Sequence, residues 1–285
     1  MTTSTISGSA SRLPTYFISH GGGPWPWMKA EMGDTYARLE AALADMPRQV
    51  GRTPKAILMV SAHWEAPVFT VQGNPRPPMI YDYGGFPPHT YSVHYDAPGS
   101  PALAQRVQQL LEAAGLPSAV DAERGYDHGM FSPMKAIYPQ ADVPVVQLSL
   151  KRGLSPAEHL ALGRALAPLR DEGVLVIGSG SITHNLHDWR GADHTRPAPY
   201  VQPYIDWVER TLAAGDVEAL LDYRRRAPHA AQAHPTDEHW QPIYVALGAA
   251  GERFRATRID AGIDLGFLAM DIYRFDDAAP AQAAA

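Results

Sequence analysis

Residues 57–65, ILMVSAHWE, run apolar and then stop at a histidine. A short continuous apolar run with a β-branched share, entered from Pro54 and left through polar residues, has the length of a buried strand. His63 then falls just past the strand's carboxyl end. The chain repeats this pattern twice: residues 15–19 (TYFIS) hand over to His20, and residues 174–183 (VLVIGSGSIT) to His184. In an open α/β sheet, ligands bind in the crevice outside the carboxyl ends of the strands, so imidazoles delivered there are placed for chemistry and not for packing.

The remaining periodicity agrees with such a sheet. Residues 34–46 carry Tyr36, Leu39, Leu43 and Met46 on one helical face with Asp34 as N-cap, which makes a β-α-β unit and a parallel strand pair. Strands are expected at 68–72, 143–150, 254–259 and 268–275, the last antiparallel at an edge. Helices are expected at 100–114, 133–138, 155–171, 200–214, 217–226 and from 233–240 on to about 250. The resulting fold class is α/β, a single domain whose mostly parallel central mixed sheet is flanked by helices, with a metal site at the C-terminal strand edge. No repeat or linker-like stretch divides the chain. One domain over 13–275 is therefore expected, between a disordered lead-in (1–12) and a disordered alanine-rich tail (276–285).

Composition narrows the chemistry. The 285 residues include no cysteine, which excludes disulfides, thiolate metal sites and a cysteine nucleophile, so any metal must be held by nitrogen and oxygen. A net charge of -6 argues against a nucleic-acid surface. No window approaches a membrane span and no signal peptide is evident, so the expected location is cytoplasmic. Self-association into a homo-oligomer stays open.

His20, His63 and His184 meet at one sheet edge, and His234 can join them from the loop before the last helix. A cluster of neutral imidazoles without thiolates suits Fe(II) or Zn(II). His128, between Asp127 and Gly129, is expected in an accessible loop. Residues 73–99 are long and aromatic, which reads as a lid or pocket wall, with His89 and His94 as surface or packing residues. Trp25 and Trp27 after the triple glycine, with Tyr81 and Phe86, are expected to line the pocket for a planar ring. Two rival readings stay open. The HGGG run mimics an esterase oxyanion hole, although residues 178–182 (GSGSI) do not supply the G-x-S-x-G elbow; a zinc-dependent hydrolase would use the same histidines.

Seven blocks in order, SHGGG, SAHWE, YDYGGFPPHTYSVHYDAPG, RGYDHGMFSPMKAIYP, VPVVQLSL, VLVIGSGSITHNL and AHPTDEHW, resemble the DODA-type extradiol aromatic ring-opening dioxygenases of the LigB superfamily, across roughly residues 13–275. The resemblance implies a non-haem metal-dependent enzyme that inserts O2 into a catecholic ring next to the diol and opens it, with Fe(II) for activity and Zn(II) as an alternative bound ion. It implies His20, His63 and His234 as metal ligands. His184 would be a fourth ligand or an acid/base group, and His128 a second acid/base residue. It also admits a catalytically silent metal-binding homologue, against which the retention of His128 and His184 argues.

Overall fold

The computed structural model describes residues 12–191 and 193–278; the expectations for residues 1–11 and 279–285 fall outside them. In chain order the strands are β1 (Thr15–Ser19), β2 (Ala56–Ala66), β3 (Phe69–Gln72), β4 (Ser118–Asp121), β5 (Val145–Lys151), β6 (Val174–Gly180), β7 (Phe254–Ile259), β8 (Ile263–Asp264), β9 (Leu268–Ala269) and β10 (Ile272–Asp277). The helices are α1 (Lys29–Met32), α2 (Ala37–Val50), α3 (Pro101–Ala113), α4 (His128–Ile137), α5 (Pro156–Leu166), α6 (Val201–Ala214), α7 (Val217–Leu221), α8 (Tyr223–Arg226), α9 (Ala230–Ala233) and α10 (Pro242–Ala250).

Eight strands form one sheet in the order β4-β3-β5-β2-β6-β1-β10-β7. Its centre, β5-β2-β6-β1, is parallel, whereas β10 runs antiparallel to both β1 and β7. The continuous apolar runs follow from burial on both faces. Along β2, Ile57 and Met59 enter the core that packs α2, α4 and α6, while Leu58 and Val60 enter the core that packs α3 and α5. Successive side chains of a strand point to opposite faces, so one run serves both layers.

Several boundaries differ from the sequence-based expectation. The strand β10 lies inside the sheet and β7 takes the edge. β4 escaped notice because SAVD is short and only partly buried. The helix expected from 133 begins at His128, since the amides of Met130 and Phe131 already bond the Asp127 carbonyl. Helix α2 is entered through Tyr36 in a left-handed conformation, not through an Asp34 cap. The helix expected to start at an N-cap near Thr236 or Asp237, with His239 in its first turn, begins only at Pro242, which leaves residues 234–241 as an irregular turn.

Candidate active site

His20 extends the β1–β6 ladder by one residue, its amide bonding Gly180 O at 3.2 Å. The chain then turns away through Gly21 at φ 76, where a Cβ would come within 2.5 Å of Trp25. Trp25 Nε1 donates to His20 O at 2.8 Å, so this tryptophan braces the turn. His63 lies within β2, not beyond it, where the pairing with β5 slips between Val60 and Glu65. Such an irregularity locally re-aims a side chain. The third imidazole comes from His239, in the turn before α10. Its carbonyl accepts from Ser181 N at 3.0 Å and presses on β6, so closely that a Cβ on Gly180 would sit 2.1 Å from that oxygen. The GSGS run is therefore a seat for the His239 turn.

The Nε2 atoms of His20 and His63 are 3.1 Å apart, and those of His63 and His239 3.3 Å. Their other nitrogens fix the tautomers. The Ser179 hydroxyl donates to Gly129 O at 2.5 Å, so its oxygen accepts from His20 Nδ1 at 3.0 Å. Glu238 Oε1 accepts from His239 Nδ1 at 3.2 Å, and Asp82 Oδ2 lies 3.5 Å from His63 Nδ1. Protons on the bonded Nδ1 atoms of His20 and His239, and on His63 Nδ1 facing the Asp82 carboxylate, would leave three Nε2 lone pairs converging. Burial first, and then the neighbouring imidazoles, hold all three pKa values well below the ordinary histidine value; for His63 the Asp82 charge opposes this only in part. Neutral rings with mutually repelling lone pairs are what a divalent cation relieves. The spacing also suits it, because two nitrogens at about 2.0–2.1 Å on a tetrahedral ion lie roughly 3.3 Å apart. A carboxylate or hydroxyl behind each ligating imidazole is the usual support of such sites.

His184 stacks on His239, 3.4 Å between centroids and 8° between planes. Burial, then the electrostatic influence of the nearby His128, lower its pKa to about 4. His128, the first residue of α4, packs 4.0 Å from the His63 ring and bonds Asp82 Oδ1 through Nδ1 at 2.9 Å. Burial would raise the Asp82 pKa, but its hydrogen bond to His128 and the neighbouring histidine charges outweigh that and leave it lowered. Beneath His128 the buried Asp127 is fixed by Ser61 of β2 at 2.7 Å, Gln147 of β5 at 2.9 Å and Arg124 at 3.1 Å.

Of the histidines expected at the site, His20, His63, His128 and His184 are brought together. His234 is not. It is wholly buried, its Nε2 donates to Ile182 O at 2.8 Å, and its ring packs between Tyr204 and Trp240. It secures the loop that leads to His184, and its Nδ1 has no hydrogen-bond partner. The residue that sequence reasoning passed over is His239, five positions on in the same block. The available signal was Glu238 beside it, a carboxylate for an imidazole N–H.

A cavity of about 320 Å³ opens on the cluster, walled by Tyr36, Tyr83, Phe86, Trp189, Leu268 and Met270, with His20, His63, His128 and His184 on its floor. A cavity of about 150 Å³ already accepts benzene, so a substituted single ring fits here. Of the four residues expected against the ring, Phe86 lines this space. Trp25 is buried behind His20, Trp27 packs on Phe131, and the Tyr81 hydroxyl is spent on Val93 O. A larger hollow of about 460 Å³ beside Asp188, Asp193 and Arg196 contains none of the clustered histidines.

Fold and site together define an α/β protein built round a histidine cluster, a candidate metal site, that faces an aromatic-walled cavity. Residues 14–261 match the family described as the catalytic LigB subunit of aromatic ring-opening dioxygenase. The chain is 41% identical to a 4,5-DOPA dioxygenase extradiol of Beta vulgaris, covering 92% of this chain and 96% of that protein. It is 38% identical to a 4,5-DOPA dioxygenase extradiol of Escherichia coli (strain K12), covering 92% and 94% respectively. A crystal structure of an uncharacterized Escherichia coli K12 protein superposes with a TM-score of 0.71 at 32% identity, over 92% of this chain and 99% of that one. The chain belongs to the LigB family and is an extradiol aromatic ring-opening dioxygenase of the DODA type. The family implies an aromatic diol and O2 as reactants. No helix among the described residues is long and apolar enough to cross a membrane.

Proposed function

We propose that the chain opens a catecholic ring with Fe(II) held by His20, His63 and His239, and that the cavity above them is the substrate site. The convergence of three imidazole Nε2 atoms is the observation that carries this reading. It revises the expected ligand set by replacing His234 with His239. A bound ferrous ion would supply the one-electron coupling between diol and O2 that closed-shell side chains lack.

The chain's own groups do the rest. His128 Nε2, free because Nδ1 is bonded to Asp82, takes a proton from a diol hydroxyl. His184, neutral and stacked beside the cluster, is the second acid/base group at the opposite wall. Tyr83 and Phe86 contact the ring face, and with Trp189 they keep bulk water from the reacting carbons. The relatives' names make 4,5-extradiol cleavage of DOPA the first reaction to try.

The test is anaerobic reconstitution of metal-free protein with Fe(II) or with Zn(II), followed by a screen of catechols in air for the coloured ring-opened product. Ring opening with Fe(II) and none with Zn(II) supports the reading. A hydrolytic activity restored by Zn(II) alone overturns it.

A further inference from the structure

The aromatic segment also brings a carboxylate, Asp82, to the site. Asp82 Oδ1 accepts from both the backbone amide of His128, at 3.0 Å, and its Nδ1, at 2.9 Å. Its other oxygen faces His63 Nδ1 at 3.5 Å. Asp127, at the N-cap of α4, makes no capping bond with its own side chain. Asp82 supplies the missing acceptor from 46 residues away. A carboxylate at a helix N-terminus is favoured both by the unpaired amide and by the helix dipole.

The backbone around Asp82 is held firmly enough to transmit this. Residues Met79 and Tyr126 form a parallel bridge, flanked by hydrogen bonds from Ile80 N to Tyr126 O and from Tyr126 N to Pro78 O, both 2.7 Å. On either side of Asp82, the hydroxyls of Tyr81 and Tyr83 bond the carbonyls of Val93 and Thr90 at 2.9 and 2.6 Å. The carboxylate is thus delivered by a braced segment to the Nδ1 atoms of two rings that pack on each other with centroids 4.0 Å apart.

We propose that Asp82 is a positioning residue that locks two imidazoles at once, turning His63 Nε2 to the metal and His128 Nε2 to the substrate. An ionised carboxylate only accepts hydrogen bonds, so the bonded Nδ1 of His128 keeps its proton, and the negative charge 3.5 Å from His63 Nδ1 favours a proton on that nitrogen as well, which leaves both Nε2 lone pairs free. Loss of Asp82 frees one ring to misdirect a ligand and the other to misdirect a base. The inference rests on the reading of the site given above and adds a device by which the ligand set and the acid/base group share one geometry.

The experiment measures Zn(II) affinity of the metal-free protein by competition with a chromophoric chelator, and kcat and KM of the Fe(II) enzyme, in Asp82→Ala, His128→Ala and the double variant. Zn(II) binding is expected to weaken roughly 10–100-fold in Asp82→Ala, the usual cost of removing the carboxylate that supports a ligating histidine from behind, and to stay near wild type in His128→Ala. The kcat loss of Asp82→Ala is expected to shrink in the His128→Ala background, because a positioning group has nothing left to position. Unchanged Zn(II) affinity in Asp82→Ala overturns the hold on His63. A kcat loss that adds in full to that of His128→Ala overturns the hold on His128. Asp82→Asn, equal in volume and with one acceptor left, is expected to lose less in both readouts and replaces the alanine variant if that one fails to fold. Zn(II) titration needs no turnover. If the wild-type chain opens no catechol, the substrate reading fails while the hold of Asp82 on His63 is still tested.

Discussion

His184 lies flat against His239, the two rings 3.4 Å apart and nearly parallel. A ring stacked on a candidate ligand shares its wall but does not join its convergence point. The three imidazole nitrogens that gather are those of His20, His63 and His239, whereas His184 groups with Glu238 and His239 on the other side of the shared ring. His184→Ala and His128→Ala are therefore expected to retain metal while lowering kcat by roughly 10²–10⁴-fold, the range for general acid/base groups. Metal content measured beside activity checks this, and loss of metal in His184→Ala would make that residue a ligand.

His239 and His234 sit in the same AHPTDEHW block but are expected to fail differently. His239→Ala should lose metal and keep most of its stability, since the His239 contact with β6 is made by its backbone. His234→Ala should keep metal affinity close to wild type and lose about 2–4 kcal/mol of folding stability, from a buried void and a lost hydrogen bond to Ile182. Chelator competition and urea denaturation separate the two. The same loss of metal in both variants would contradict the assignment.

Acid should loosen the metal-free protein. In the unfolded chain these imidazoles accept protons near pH 6.5, whereas burial holds His184 at about 4 and His20, His63 and His239 well below the ordinary value. Between those limits the unfolded chain binds more protons, so stability is full above about pH 6.5 and falls as pH drops through about 4. Metal binding needs the same neutral rings and should weaken over the same interval. Melting temperatures of metal-free protein at pH 7.5, 5.5 and 4.5 check the direction; a rise on acidification would contradict it.

Phe86 and Trp25 separate pocket wall from scaffold. Phe86 lines the cavity, so Phe86→Ala is expected to raise KM for catechols several-fold with metal content unchanged. Trp25 holds the His20 carbonyl from behind. Trp25→Ala is expected to weaken metal binding instead, as seen by chelator competition. A pure KM effect in Trp25→Ala would place it at the ring face after all.

The sheet was legible because β1, β2, β5 and β6 are buried on both faces and read as predominantly apolar, β-branched runs. The destinations of His20 and His63 followed from the ends of two of them. Where local sequence competes with tertiary contacts, it misled. Nothing in HPTDEHW announces that its backbone folds down onto Gly180, so His234, the residue nearest the loop, looked freer than His239. The start of α4 was hidden because its capping oxygen comes from Asp82. Trp25, Trp27 and Tyr81 carry the composition of a pocket wall, but Trp25 and Tyr81 spend their polar atoms on backbone carbonyls and Trp27 packs on Phe131.

The ligand set is tested most directly by anomalous diffraction from crystals of the chain loaded with Fe(II) or Zn(II). One peak is expected, within coordination distance of the Nε2 atoms of His20, His63 and His239, with His234 still bonded to Ile182. A peak coordinated by His234, or one from which His239 is missing, would contradict the central assignment.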